Sequence, residues 1–260
     1  MCQSKNGPEK FSICSGNGGV KRGVYNPIQG ALPRWVFRMP FPEASNTIQR
    51  YPITVYTATL LSRFAILSPM KVLALNGSPR LVGNTSNALT YLLDLLGKEG
   101  FETDYIHVYE DNLLPCNYCG SCEIRGDGRC IMEEDQMNSY MDRMRAADIV
   151  ILASPSYYGS CSGQLKIFLE RAGYCLQAGD KGLKGKIGAV FVTQERDGGM
   201  PVYSELVNWM LRNQMVVVGS DPLSIIMGKE MNRWEEDEKG LKALRNLAEN
   251  ITDAFIRMNE

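Results

Sequence analysis

The sequence predicts an α/β fold, a doubly wound parallel sheet of five strands with helices on both faces. Short apolar runs alternate with longer segments of helical periodicity along residues 70–260. The runs are continuously apolar, which is typical of strands that are buried on both faces. Strands that are separated in sequence by helices pair in parallel, so this alternation indicates helices packed on both sides of one sheet.

The first half of the pattern begins immediately after Met70. The run "KVLALN" predicts a buried strand over 71–76. Apolar residues at helical spacing, followed by a glycine stop, predict a helix over 84–100. A second strand is predicted over 102–109, and a helix over 133–147.

The second half of the pattern continues the alternation with shorter connections. The run "DIVILASP" predicts a central strand over 148–155, and a helix is predicted over 162–176. A strand over 186–194 and a helix over 201–214 follow. The last two predicted elements are a strand over 215–222 and a long closing helix over 233–258.

Residues 1–69 are expected to be a poorly ordered extension, or not to belong to the native protein. They contain seven of the twelve prolines and carry a net charge of +6, whereas residues 70–260 carry −7. They show neither helical periodicity nor strand alternation. Because Met70 immediately precedes the first strand, we expect the functional protein to begin there. A basic targeting segment is the alternative.

The bulk composition argues against two classes of partner. A net charge of −1 over 260 residues gives no reason to expect nucleic acid. No apolar run reaches the roughly 18–20 residues that span a bilayer, since the best candidate, 53–67, is shorter and contains Arg63. We therefore expect a cytoplasmic protein without a membrane partner, in which thiols stay reduced.

The loop over 76–87, after the first strand, has the composition of a phosphate site. Gly77 and Gly83 allow a close approach of the backbone, and the following helix begins with free N–H groups that attract an anion. The loop is neither a dinucleotide fingerprint nor a Walker loop. An ordinary helix cap at its end is the plain alternative. The candidate phosphate ligands are Ser78, Arg80, Asn84, Thr85 and Ser86.

Two more loops follow the third and fourth strands, at the edge where ligands bind in open parallel sheets. In these loops, small residues lie beside aromatic or hydrogen-bonding side chains, a combination that can contact a flat ring with polar edges. Each loop alone is also consistent with an ordinary turn, but the three loops together predict a phosphorylated planar ligand. The candidate ring contacts are Pro155, Ser156, Tyr157, Tyr158 and Gly159 in one loop, and Thr193, Gln194, Glu195, Gly198 and Gly199 in the other.

The segments "LNGSPRLVGNTSNAL" and "ASPSYYGSCSGQLKIFLER", with the Gly-Gly loop, resemble the NADPH-dependent FMN reductase family, a branch of the flavodoxin-like fold. The resemblance covers essentially all of 70–260 and none of 1–69. It implies a flavodoxin-like FMN-binding domain over 70–260. It also implies that the FMN phosphate lies in the first loop and the isoalloxazine ring against the other two. The chemistry would then be carried by cofactors, without a catalytic side chain.

Four cysteines lie close together in the loop over 113–132, with the spacing C-x2-C-x2-C-x7-C. Thiolates two residues apart can turn toward one metal or cluster, and the glycines before the fourth can fold the chain back. These residues are Cys116, Cys119, Cys122 and Cys130. The arrangement resembles the iron–sulfur flavoproteins of the same family, which carry a [4Fe–4S] cluster beside FMN. Structural zinc is the main alternative, and disulfides are a weaker one in the cytosol.

These features favour an oxidoreductase that passes electrons between a [4Fe–4S] cluster and FMN. The alternatives are a cluster-free NAD(P)H-dependent FMN or quinone reductase, and a zinc-stabilised flavin-binding regulatory module. The resemblance implies a small redox partner such as ferredoxin or NAD(P)H, and a homodimer or homotetramer. The single histidine, His107, is interpreted as a structural residue, so no Ser-His-Asp or Cys-His pair indicates a hydrolase.

Overall fold

Five parallel strands lie side by side in the order β2-β1-β3-β4-β5, which is the flavodoxin-like order, and a short sixth strand adds to one end of β4. A computed structural model describes residues 70–179, 182–228, 230 and 233–260. The strands are β1 (Lys71–Asn76), β2 (Glu102–His107), β3 (Ile149–Pro155), β4 (Ile187–Gln194) and β5 (Val216–Val218). The predicted fold class is therefore confirmed.

Six α-helices accompany the strands in the described part of the chain. They are α1 (Asn84–Lys98), α2 (Ser121–Arg125), α3 (Met137–Ala146), α4 (Gly163–Ala178), α5 (Gly199–Arg212) and α6 (Glu238–Asn259), with a 3-10 turn at Trp234–Glu236. All five long helices lie where the sequence predicts them. The short helix α2 lies inside the cysteine loop, where no helix is predicted, and five residues are too few for a periodic signal.

The sheet separates two hydrophobic cores because alternate residues of each strand point to opposite faces. In β1, Leu73 and Leu75 pack into the core that holds the buried faces of α3, α4 and α5. Val72 and Ala74 pack into the other core, under α1 and α6. Burial on both faces explains why these strands read as continuously apolar runs.

The predicted fifth strand, 215–222, is shorter in the structure and is followed by a sixth strand. β5 pairs with the first residues of β4, and β6 (Ile225–Met227) pairs in parallel with residues 192–194 at the other end of β4. Pro222 lies in the interruption and has no N–H to donate to a ladder. The edge of the sheet is thus built from two short pieces.

The carboxyl ends of β1, β3 and β4 lie next to one another at one edge of the sheet. Asn76 is level with Ala153, and Pro155 is level with Thr193. The Gly77 N–H donates to the carbonyl of Ala153 at 2.8 Å, which holds the first loop against the third strand. The three loops that the sequence selects therefore begin side by side.

No helix in the described ranges is long and apolar enough to cross a membrane. The predicted extension over 1–69 and the apolar run over 53–67 lie outside the described residues, so those two expectations stay predictions.

Candidate cofactor site

Asn76, the last residue of β1, organises the first loop. Its Oδ1 accepts a hydrogen bond from the Ser78 N–H at 2.9 Å. Its Nδ2 donates to Ser86 Oγ at 2.9 Å and to the Tyr105 hydroxyl at 2.6 Å. Ser86 in turn donates to the carbonyl of Arg80 at 2.8 Å, so both polar atoms of a fully buried amide shape the turn. Asn76 is absent from the predicted site because its role depends on partners that only the fold brings near.

Three features of the predicted phosphate loop remain available to a ligand. The exposed Arg80 guanidinium makes no hydrogen bond or ion pair with the described residues. Ser78 Oγ accepts from the Arg80 N–H at 3.2 Å and keeps its own proton for another acceptor. Helix α1 has no side-chain cap, which leaves the N–H groups of its first turn open. Open N–H groups, a hydroxyl and a cation at one loop suit a phosphate.

Besides Ser86, whose hydroxyl bonds to Asn76 and Arg80, two more predicted phosphate ligands use their side chains within the protein. The Asn84 amide donates to the carbonyls of Gly228 and Glu230, at 3.2 and 2.8 Å, and accepts from the Arg233 N–H at 3.0 Å. Asn84 is therefore not an ordinary helix cap. Thr85 Oγ1 lies 2.6 Å from Thr193 Oγ1, in a buried hydrogen bond that joins the first loop to the end of β4. At these positions the backbone N–H is the group left for phosphate.

The loop after β3 is a tight hairpin. Tyr157 and Ser160 pair with each other through N–H to carbonyl bonds of 3.0 and 3.1 Å. The two residues between them, Tyr158 and Gly159, have φ values of 51° and 74°. Two successive positive φ angles are typical of a hairpin turn that suits glycine or asparagine, and a tyrosine there is strained. Such strain is concentrated at functional sites, and the turn holds the fully exposed Tyr158 at the tip.

The second and third loops are in contact at Gly198. Gly198 has a φ of 79°, and a Cβ at this position would lie 2.5 Å from Ser156 Oγ and 3.2 Å from Gly159 Cα. The Ser156 N–H donates to the carbonyl of Thr193 at 2.8 Å, which joins the same loops at their base. Predicted ring contacts from both loops therefore form one continuous wall.

Gln194 and Glu195 differ in what they offer to a ligand. Gln194 Oε1 accepts from the Gly199 N–H at 2.7 Å, and its Nε2 donates to Met227 Sδ at 3.0 Å, so this side chain shapes the loop. Glu195 is exposed and makes no hydrogen bond or ion pair with the described residues. Of the two, Glu195 has the free side chain.

Glu205 on α5 anchors the hairpin from outside, a role that the sequence does not indicate. Its carboxylate accepts from Ser160 Oγ at 3.0 Å, from the Cys161 N–H at 3.1 Å and from Lys166 Nζ at 2.6 Å. Burial acts to raise the pKa of Glu205, but the hydrogen bonds from Lys166, Cys161 and Ser160 outweigh it and hold the pKa below its usual value. Glu205 therefore stays ionised and keeps the hairpin attached to α4 and α5.

Polar atoms without partners are concentrated at the ligand edge. Among the described residues, the buried side-chain atoms with no hydrogen bond belong to His107, Ser162 and Gln164. His107 ends β2, and the other two lie at the start of α4, after the hairpin. His107 is buried, as the structural interpretation predicts, but neither ring nitrogen is satisfied. An unpaired buried polar atom costs about 1–3 kcal/mol, so a ligand or water at this edge would stabilise the protein.

The four cysteines predicted as metal ligands line one cavity of about 30 Å³ beside α4. Cys130 is buried, Cys119 is exposed, and Cys116 and Cys122 are intermediate, and all four are free thiols. Cys175 of α4 lines the same cavity and was not predicted. The sequence does place Cys175 one turn beyond Arg171, on the apolar face of the predicted helix, and this position indicates that its side chain is buried.

The donor set fits a sulfur-held group, while its present geometry does not form a metal site. Within the described ranges, no three Cys, His, Asp or Glu side chains converge closely enough to hold a metal ion. Four thiols around one cavity are nonetheless the ligands that both zinc and iron–sulfur clusters use. The structure thus brings the four predicted cysteines to one cavity, and their role as metal ligands stays a prediction, as does the choice between the two occupants.

The cysteine loop folds back on itself, as its glycines predict. Gly126 and Gly128 have φ values of 63° and 69°, a region that suits glycine. The returning chain is fixed at Cys130, whose N–H donates to Asn138 Oδ1 and whose carbonyl accepts from Asn138 Nδ2, both at 2.9 Å. These bonds place the fourth cysteine beside the first three.

Arg171 of α4 closes both ends of the cysteine loop. Its guanidinium donates to the carbonyls of Leu114 and Met132, at 2.9 and 3.1 Å, and forms a buried ion pair with Asp135. Its Nε donates to the sulfur of Cys130 at 3.2 Å. Burial acts to lower the pKa of Arg171, but its bonds to Asp135 and Cys130 raise the pKa above its usual value, so the cation is retained. Arg171 was not predicted, although a charge on an apolar helical stripe is a signal of a buried ion pair.

A family model and several known proteins match this chain in sequence. Residues 70–229 match the family model described as NADPH-dependent FMN reductase. The chain is 34% identical over 191 residues to an iron–sulfur flavoprotein of Methanocaldococcus jannaschii, covering 71% of this chain and 96% of the relative. It is 33% identical over 188 residues to an iron–sulfur flavoprotein of Methanosarcina thermophila, covering 72% and 95%.

Solved structures show the same fold. RosB with bound 8-demethyl-8-formylriboflavin-5'-phosphate has a TM-score of 0.60 at 20% identity, covering 73% of this chain and 80% of that one. The flavoenzyme NAD(P)H:(acceptor) oxidoreductase FerB of Paracoccus denitrificans has a TM-score of 0.51 at 19% identity, covering 72% and 98%. The resemblance predicted from the loops is confirmed, and the chain belongs to the NADPH-dependent FMN reductase family of flavin-dependent oxidoreductases.

Proposed function

We propose that this protein is an iron–sulfur flavoprotein that passes electrons between FMN and a [4Fe–4S] cluster. The observation that carries the proposal is that Cys116, Cys119, Cys122 and Cys130 line one cavity on the same domain as the flavin loops. Two relatives that match most of the chain are named iron–sulfur flavoproteins, which supports the same assignment.

The flavin loops supply the binding groups for FMN. Arg80, the Ser78 hydroxyl and the open N–H groups of α1 hold the phosphate. The wall from Pro155 to Gly159, closed by the loop from Thr193 to Gly199, contacts the isoalloxazine ring. The Ser162 hydroxyl, which can donate and accept, and the acceptor Gln164 Oε1 are unsatisfied at the same edge, and a bound molecule or ordered water would satisfy them.

The four thiolates hold the cluster, with Cys130 positioned by Asn138 and by Arg171. When bound, FMN supplies two-electron chemistry and the cluster supplies one-electron chemistry. The protein contributes the placement of the two groups and their shielding from water. NAD(P)H or a small carrier such as ferredoxin supplies or receives electrons, and the protein works as a homodimer or homotetramer.

Cofactor content of protein prepared without oxygen tests this function. We expect one FMN and, for a [4Fe–4S] cluster, about four irons per chain. Cys130→Ser should lose most of the iron while retaining FMN. Cys161→Ala is the matched control, because Cys161 is also buried but does not line the cavity. Protein with flavin but no iron would contradict the proposal.

A second function rests on the family match alone, which is to NADPH-dependent FMN reductases. In that case the protein is a cluster-free NAD(P)H-dependent FMN or quinone reductase, with the cysteines free or holding zinc. Stoichiometric zinc with steady oxidation of NADPH would support it. Reduction by ferredoxin but not by pyridine nucleotide would support the iron–sulfur flavoprotein instead.

A further inference from the structure

Arg171 is a buried cation in direct contact with the cysteine cavity. Its side chain is 1% exposed and its partner Asp135 is 4% exposed. It lines the cavity with the four cysteines, and its Nε faces the Cys130 sulfur at 3.2 Å. Asp135 bonds to the two terminal nitrogens instead, so the guanidinium lies between the sulfur and the carboxylate.

We propose that Arg171 is a positioning residue that orients Cys130 and biases the sulfur-held centre toward its reduced state. This inference rests on the proposed function. A centre that gains an electron becomes more negative, and a fixed cation at one of its sulfurs stabilises that state more than the oxidised one. Hydrogen bonds to ligand sulfurs and net charge are among the factors that set the potentials of such centres.

The energetics of burial indicate that stability alone does not explain this ion pair. Desolvation of two charges usually cancels most of their attraction, and apolar residues of similar size are often as stable or more so. Arg171 lies between the apolar positions Phe168 and Cys175 on one face of α4, where an apolar side chain would pack. A buried cation whose Nε donates to a cysteine sulfur therefore points to a role at that sulfur.

Asp135 carries the charge opposite to that of Arg171, so removing either charge should shift the reduction potential in opposite directions. Its carboxylate accepts from Arg171 and from the N–H groups of Leu114 and Met137, at 2.8 and 3.2 Å. Arg171→Gln removes the cation and should make reduction harder. Asp135→Asn removes the opposing anion and should make reduction easier. A purely structural role would shift both variants in the same direction, or neither.

Arg129 provides the matched control. It is adjacent to Cys130 in sequence and pairs with Asp142 at 2.7 Å, but its side chain is 43% exposed. Arg129→Gln therefore removes the same formal charge from the same loop, where solvent and salt screen it.

The experiment is an anaerobic redox titration with dithionite, followed by electron paramagnetic resonance, on chains whose iron has been measured. At a fixed ambient potential, Arg171→Gln should lower the ratio of reduced to oxidised cluster about tenfold, which is 59 mV for one electron. Asp135→Asn should raise that ratio, Arg129→Gln should change it much less, and Arg171→Lys should fall between Arg171→Gln and the unmodified protein. Equal shifts for Arg171→Gln and Arg129→Gln would overturn the inference, as would shifts of one sign for Arg171→Gln and Asp135→Asn.

A second readout needs no cluster and separates this inference from the proposed function. In the metal-free protein, the Arg171 cation stabilises negative charge at the Cys130 sulfur, so Arg171→Gln should decrease the rate at which iodoacetamide modifies Cys130 about tenfold, while Arg129→Gln should change it much less. A faster reaction would mean that the variant has only loosened the loop, and would refute the role at the sulfur. If the unmodified protein binds no iron, the proposed function fails and this rate alone decides the role of Arg171. An unchanged rate would then refute it. If Arg171→Gln does not fold, Arg171→Lys is used for both readouts, and a potential and a rate equal to those of the unmodified protein would refute the inference.

Discussion

Replacing Gly198 with alanine should separate the loop over 155–159 from the loop over 193–199, which together form the ring wall, the surface proposed to contact the flavin ring. Gly198 has a φ of 79°, and the new Cβ would lie 2.5 Å from Ser156 Oγ and 3.2 Å from Gly159 Cα. A residue with a Cβ costs about 1–2 kcal/mol in the left-handed region before any steric conflict. The contact with Ser156 adds to this cost, and the simplest relief is movement of the hairpin away from the Gly198 loop.

The expected result is weaker binding of FMN, because the ligand must bring the loops together again. A penalty of about 1–2 kcal/mol corresponds to a dissociation constant raised about 5- to 30-fold. The assay is titration of the flavin-free protein with FMN, followed by quenching of flavin fluorescence. Ser156→Ala in the same chain removes the atom nearest to the new Cβ and should restore part of the affinity.

Gly185→Ala is the matched control for backbone strain. Gly185 has a φ of 78°, and a Cβ at this position would meet nothing within 4 Å beyond its own chain neighbours. It precedes β4, at the opposite end of that strand from the ring wall. This variant should lose a similar free energy of unfolding, about 1–2 kcal/mol, without a change in FMN affinity. If Gly198→Ala binds FMN as tightly as the unmodified protein, or if Gly185→Ala weakens binding equally, the ring wall does not depend on contact at Gly198.

Three further predictions test other parts of the site. Glu205→Gln should weaken FMN binding about 5- to 30-fold by loosening the hairpin. The pKa of Glu205 is lowered in the folded state, so its stabilisation of the fold is present at neutral pH and is lost as the pH falls below the unfolded pKa of about 4.3. The melting temperatures of the unmodified protein and of Glu205→Gln, measured from pH 7 to pH 3, should therefore converge at the acid end. In the metal-free protein, iodoacetamide should modify Cys119 first, because Cys119 is exposed and hydrogen bonds from the side chain and backbone of Ser121 lower its pKa. Cys161 and Cys175 should react last, because burial raises the pKa of each to about 12. Mass spectrometry of each cysteine gives the order, and early labelling of Cys175 would contradict the buried position assigned to it. Gly77→Ala should lower the free energy of unfolding by about 1–3 kcal/mol in urea, since its Cβ would lie 2.7 Å from Leu165 Cδ2, whereas Gly97→Ala, with open space around it, should not destabilise the protein.

The sequence predicts the elements that depend on local pattern. β1 begins and ends where the run "KVLALN" places it, and the long helices are found within a few residues of their predicted ends. The order of the strands follows from the alternation of elements together with the flavodoxin-like resemblance. β6 was missed because three residues carry no periodic signal and its pairing with β4 depends on the tertiary fold.

The sequence predicts which residues make up the site better than it predicts their hydrogen-bond partners. The sequence indicates which loops meet, since parallel strands end at one edge, and it selects the four cysteines by their spacing. It does not indicate that the Asn84 amide is bonded to a loop about 145 residues away, at Gly228 and Glu230. Asn76, Glu205 and Arg171 were missed for the same reason, because each acts through partners that are distant in sequence.

Helix α4 connects the hairpin at 157–160, which belongs to the ring wall, with the cysteine loop. It begins at Gly163, directly after the ring hairpin, and Lys166 in its first turn bonds to the Glu205 carboxylate that anchors this hairpin. Arg171, on the same helix, bonds to Cys130 and to both ends of the cysteine loop. Five residues of α-helix span about 7.5 Å, so the two anchors lie about that far apart along one rigid element. Because one helix sets the position of both loops, a change that shifts α4 must disturb the ring wall and the cysteine cavity together. Gly198→Ala, in contrast, should disturb the ring wall and leave the cysteine cavity unchanged.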